Sequence, residues 1–230
     1  MKTSYFLIAL ITLSFVFSCK KDENKKTQNA EFTLTSIAKD GKLSVFTEGG
    51  KTIKDVTVIQ DFVKGGDAFF NFDKPIDNGE RIEFVGADSV HFLTSSGAIF
   101  RRCAYKMQGT KIFFYETFAE MITPSDQYLE NLYRNIVKYQ PVYAAPYTVS
   151  GLGGEYAYRK VTFTTVGYIS KTELKIYRFV FKMHRDYGEN YVYTSLGFPT
   201  NQFDENFAKK LNKYETLAIQ PYTFRYKRSK

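Results

Sequence analysis

The sequence contains no tryptophan, two histidines, two cysteines and six prolines in 230 residues. Two cysteines cannot make a disulfide framework, and they do not stand at zinc-ligand spacing. His91 and His184 are the only histidines, and neither belongs to an H-E-x-x-H pattern. The nucleophile elbow, the P-loop and the dinucleotide fingerprint are all missing. The sequence therefore nominates no catalytic residue, no metal ligand and no cofactor. The lack of tryptophan weakens a carbohydrate-stacking site without excluding one. With 43% hydrophobic and 24% charged residues the chain is of the globular type, and disordered and collagenous classes are excluded. Long apolar runs are also missing, save one at the N-terminus.

The net charge of +8 is concentrated at the chain's ends. Lys2 adds one, Lys20–Ala30 adds two, and Arg225, Lys227, Arg228 and Lys230 add four, which leaves the body near +1. Nucleic-acid binders gather Lys and Arg on a folded face that follows phosphates. No nucleic-acid partner is expected here.

Met1-Lys2 supplies a positive start, and Tyr5–Phe17 is an apolar run of 13 residues. A membrane span needs about 20 residues, whereas a signal-peptide core needs only about 7–15. The run ends in Val16-Phe17-Ser18-Cys19, followed by Lys20-Lys21-Asp22-Glu23-Asn24. This segment resembles a bacterial lipoprotein signal with its lipobox, and the charged residues after the cysteine resemble Bacteroidetes surface-export signals. The resemblance covers residues 1–26 only. It implies cleavage before Cys19, acylation of Cys19 with palmitate-type chains, and an outer-membrane address on the periplasmic or cell-surface face. Each acyl CH₂ contributes about 0.8 kcal/mol, so two or more chains anchor stably. Residues 1–18 are thus expected to be a signal peptide and 19–30 the lipidated cysteine with a flexible tether. Residues 31–230 are expected to form a single β-rich domain.

Short strand-like stretches between turn signals run through most of that domain. Phe32–Ala38 and Leu43–Thr47 flank Asp40-Gly41, a hairpin signal. Thr52–Ile59, Ala68–Phe72, Arg81–Val85, Val90–Thr94, Ile99–Met107 and Lys111–Phe118 follow. Tyr156–Ile169, Glu173–His184, Tyr191–Leu196 and Thr216–Tyr226 complete the set. Strands at this spacing predict a mainly β fold, an antiparallel sandwich or barrel-like sheet. Two helices are expected to pack on it. The first starts at Thr123-Pro124 and carries Leu132, Ile136 and Val137 at helical spacing. The second is capped by Asn201 or Asp204 and carries Phe203, Phe207, Leu211 and Tyr214. Cys103 reads as a small buried hydrophobe in a strand.

Residues Gln140–Glu155 read as a long loop, with Tyr143 and Tyr147 inside it and Tyr156 and Tyr158 beside it. Tyrosine offers broad contact area at low entropic cost. These four tyrosines are the candidate binding residues. The expected role is a membrane-anchored interaction module for an envelope protein or glycan. A lipocalin-like carrier of a small apolar ligand is the alternative. A hydrolase stands behind both, with Glu80 and Glu83 or Glu116 and Glu120 as its acid pair.

Overall fold

The computed structural model describes residues 29–64, 80–122, 131–151 except 133, and 154–230 except 187, 189–191 and 198. The signal segment, Cys19, the strand expected over Ala68–Phe72 and the helix start at Thr123-Pro124 lie outside the described residues. The strands are β1 (Glu31–Lys39), β2 (Ser44–Thr47), β3 (Lys51–Thr52), β4 (Arg81–Val85), β5 (Ser89–Leu93), β6 (Ile99–Gln108) and β7 (Lys111–Met121). They continue as β8 (Val142–Tyr143), β9 (Tyr147–Gly151), β10 (Gly154–Ile169), β11 (Glu173–Asp186), β12 (Val192–Gly197) and β13 (Glu215–Arg228). Eight of them close an antiparallel barrel in the order β11-β10-β7-β6-β5-β4-β1-β13, and β13 bonds back to β11.

Alternation explains which residues fill the barrel. In β4, Ile82 and Phe84 are buried while Glu83 and Val85 are exposed, the period of two that a half-buried strand requires. The same face of the neighbouring strands contributes Phe92, Tyr105, Phe114, Phe224 and Tyr226, all buried. Their rings interlock, with Phe84 and Tyr105 4.9 Å apart and Phe92 and Phe114 5.5 Å apart, both edge to face. An eight-stranded barrel is just wide enough for side chains to fill it.

β11 and β13 continue beyond the barrel, paired as far as Arg185↔Glu215. There β12 adds to β11 and β2 adds to β13. Phe181, Met183, Leu217 and Ile219 on one face of this extension pack with Leu132, Ile136, Phe207 and Leu211 in a second apolar core. Its other face meets helix α1 (Val56–Lys64), where Lys182 Nζ donates to the Phe62 carbonyl at 2.5 Å. A short helix α2 (Glu205–Ala208) lies in the second core.

Four sequence expectations change. Thr52–Ile59 is not a strand: it ends after Thr52 and turns into α1. The Asp55 carboxylate accepts from the Thr57 and Val58 amides at 2.8 and 3.3 Å, and Ile59, Phe62 and Val63 supply a helical apolar face. That cap and face override the β-branched composition. β1 and β2 do not pair with each other: they follow one another along the same edge of β13, β1 against residues 222–228 and β2 against 217–219, while β11 holds the other edge. The second helix is four residues long rather than running to Tyr214. The Asn212 side chain accepts from the Tyr214 amide at 2.9 Å and turns the chain away. Finally, Gln140–Glu155 is not a loop. It holds β8, β9 and the start of β10.

The two ends of the barrel differ. The turns at 86–88, 109–110 and 170–172 share one end with the chain entry at Asn29 and the last residues. There the Asn29 amide donates to the Phe84 carbonyl and the Arg228 amide to that of Thr172. The opposite end carries the turn at 94–98, α1 and the β9–β10 pair.

Candidate functional site

β9 and β10 pair from Gly151↔Gly154 to Tyr147↔Tyr158, and Gly154 takes a φ of +122° that a side chain would resist. Directly opposed residues of antiparallel strands share a face. Tyr147 opposes Tyr158, Val149 opposes Tyr156, and Met121 of β7 opposes Tyr158 from the other edge. Tyr147, Val149, Tyr156, Tyr158 and Met121 therefore lie on one face, and the rings of Tyr147 and Tyr158 stack at 6.1 Å. Tyr147, Val149, Tyr156 and Met121 are each 40% exposed or more. This is an apolar and aromatic patch on a projecting hairpin.

Tyr143 is on the opposite face. It opposes Val161, and the guanidinium groups of Arg134 and Arg159 each stand over its ring, 4.3 and 4.5 Å from the centroid. The structure thus groups three of the four predicted tyrosines and separates the fourth.

The face that carries Tyr143 is the one that continues into the barrel. Glu116, Phe118 and Glu120 follow one another along it on β7, and Val161, Phe163 and Thr165 on β10. Neither carboxylate pairs with another acid. Arg101 Nε stands 3.4 Å from Glu116 Oε2, and Arg159 Nε donates to Glu120 Oε1 at 2.7 Å. Between these two ion pairs the rings of Phe118 and Phe163 stack, 5.4 Å apart and 8° from parallel. Burial pushes the Glu116 carboxyl above the usual carboxylate range, against the pull of Arg101.

A recess of about 220 Å³ opens here at the barrel mouth, lined by Glu116, Phe118, Phe163, Pro141, Thr200 and Asn201 among others. Asn201 fixes its wall. Its Nδ2 donates to the carbonyls of Tyr139 and Thr164 at 2.8 and 2.9 Å, and its Oδ1 accepts from the Gln202 amide at 2.7 Å. Asp204, not Asn201, caps α2. Thr165 donates to the Thr200 hydroxyl at 2.9 Å and accepts from Arg101 at 3.2 Å.

The other residues singled out by sequence lie elsewhere in the fold. Glu80 is buried within the barrel beside Arg178 and Tyr226, whereas Glu83 faces outward. Cys103 is buried in β6, and burial pushes its thiol up. His184 contacts the Phe62 ring, and His91 lies half-buried in β5. Sequence reasoning missed Arg101, Arg159, Phe118, Phe163 and Thr200. The alternate residues Glu116, Phe118 and Glu120 on a strand were the available signal. Their arginine partners come from β6 and β10 and carry no local mark.

No family model matches this chain, and no curated protein or solved structure resembles it significantly.

Proposed function

We propose that the protein is an envelope lipoprotein, held in the outer membrane by lipid on Cys19, whose barrel presents the β9–β10 hairpin to another envelope component, protein or glycan. The observation that carries this reading is the opposition of the two ends. The described chain enters at Asn29, beside Arg228 and Lys230, while the exposed tyrosines lie at the other end. β10 alone runs for 16 residues, about 50 Å at ~3.3 Å per residue. A lipid on Cys19 would place the entry end at the headgroups. Exposed Lys227, Arg228 and Lys230 would then meet an anionic surface, each contributing about 1 kcal/mol there. The aromatic face would point away.

Two measurements test this. Cys19→Ala is expected to abolish palmitate labelling and release the protein from membranes. A photo-crosslinking residue at Val149 is expected to capture one envelope component in intact cells, and Tyr147→Ser with Tyr156→Ser to abolish that capture. Retained labelling in the first case sinks the anchor; absence of any specific adduct in the second sinks the interaction role.

The closed eight-stranded barrel favours a second reading, a lipocalin-like carrier. Packed rings occupy the described lumen, so a carried molecule would have to displace some of them. Native mass spectrometry of the purified protein decides, since a carrier would retain an apolar molecule.

A further inference from the structure

The geometry points to the recess at the barrel mouth as a binding site for a neutral saccharide, a ligand with hydroxyl groups around an apolar ring. The site is on the opposite face of the strands from the exposed tyrosines. It stands whether or not the hairpin reading holds.

The first ground is charge. The acids of this face, Glu116 and Glu120, each have an arginine partner at 3.4 and 2.7 Å. A cationic ligand would meet Arg101 behind Glu116, and an anionic one would meet Glu116 itself. Net attraction for either is small. A hydroxyl group, both donor and acceptor, is suited to paired ions because it can satisfy either sign without adding charge.

The second ground is the complement of donors and acceptors. Thr200 lines the recess and receives the Thr165 proton at 2.9 Å. Its own proton is then left to donate, and no acceptor among the described residues takes it. Glu116, which lines the same recess and is 31% exposed at the side chain, supplies an acceptor. A donor and an acceptor in one small recess match a hydroxylated ring.

The third ground is the apolar wall. Phe118 keeps 43% of its surface exposed although it is stacked on Phe163 and sits at a mouth otherwise lined by Val137, Pro141 and Pro199. Sugar C–H groups pack against such rings, and the mouths of β-barrels are common ligand sites. The Asn201 latch holds the wall in place before any ligand arrives, which lowers the ordering cost of binding. At about 220 Å³ the recess suits one sugar ring rather than a chain.

The test uses the purified full chain in a detergent that carries no sugar. Maltose, lactose, chitobiose, mannobiose and xylobiose are offered at millimolar concentration, and contact is read by saturation-transfer NMR and calorimetry. At least one is expected to bind. Phe118→Ala should weaken that sugar at least tenfold, and Glu116→Gln and Thr200→Val several-fold, with unchanged circular dichroism. Tyr147→Ser with Tyr156→Ser should leave sugar binding intact, which separates this site from the hairpin. Silence from all five sugars overturns the proposal. So does binding that persists in both Phe118→Ala and Glu116→Gln. Should Phe118→Ala misfold, Phe118→Leu keeps an apolar wall while removing the ring, and the same loss is required of it.

Discussion

Arg178 stands inside the barrel, where its guanidinium donates to Glu80 Oε2 at 2.6 Å and lies 4.1 Å over the Phe224 ring. The Tyr226 hydroxyl donates to the same carboxylate oxygen at 2.7 Å. The acid and arginine side chains are 5% and 7% exposed, so neither charge has water to fall back on. Arg178→Met is expected to cost about 3–5 kcal/mol, because it leaves a buried carboxylate without its cation. Adding Glu80→Gln should recover much of the loss; the urea midpoint of each variant checks both. Burial also holds the Tyr226 phenol far above its ordinary range, so it stays protonated in the fold. Above about pH 10 the unfolded chain releases that proton and the folded chain does not. Stability therefore falls as pH rises past that point, and Tyr226→Phe should remove this part of the alkaline loss. At this scale the sequence shows the residue types only. Nothing near Glu80 marks it as the partner of a residue 98 positions away.

Barrel closure depends on a short stretch of β10 and β11, paired only from Gly167↔Ile176 to Ile169↔Leu174. Gly167 permits it. A Cβ built there would stand 2.5 Å from the Lys175 carbonyl oxygen and 3.3 Å from Ile112 Cγ2. Backbone cannot yield as a flexible side chain can, so Gly167→Ala is expected to cost about 1–3 kcal/mol, seen as a lower thermal or denaturant midpoint. An unchanged midpoint would show that the β10–β11 seam opens at no cost. The strands with clean alternation, β4 and β5, were legible because their period of two survives any neighbour. Helix α1 was not, since its Val and Ile content suits a strand and only Asp55 and the apolar spacing argue otherwise. The β1–β2 hairpin misled for a different reason: the chain does not reverse at Asp40-Gly41, and β1 and β2 run on in one direction along the same edge of β13. In the same way Gln140–Glu155 lacked a periodic signal, because β9 is exposed on both faces and need not alternate.

For the whole molecule the consequence is orientation. A dye on Ala87→Cys, in the turn at the entry end, should be quenched by headgroup-borne quencher in vesicles more strongly than one on Ser150→Cys. Buried Cys103 will not compete for the dye. Equal quenching at both positions would show the barrel lying on its side, and the hairpin would lose its outward presentation. The mainly β character and the buried state of Cys103 were determined by the sequence, because alternation and hydrophobicity act over a few residues. The proposed lipid address likewise rests on a contiguous motif. Tertiary structure alone decided that the sheet closes into a barrel and that β1 and β2 run in line along one edge of β13. It alone placed Tyr143 away from Tyr147, Tyr156 and Tyr158, since one more residue along a strand, or one more strand across, reverses the face. The recess at the mouth arises from β7, β10 and two segments that Asn201 ties together across 62 and 37 positions of sequence. Hydrogen bonds and ion pairs of that separation depend on closure of the whole sheet, and no local pattern encodes them.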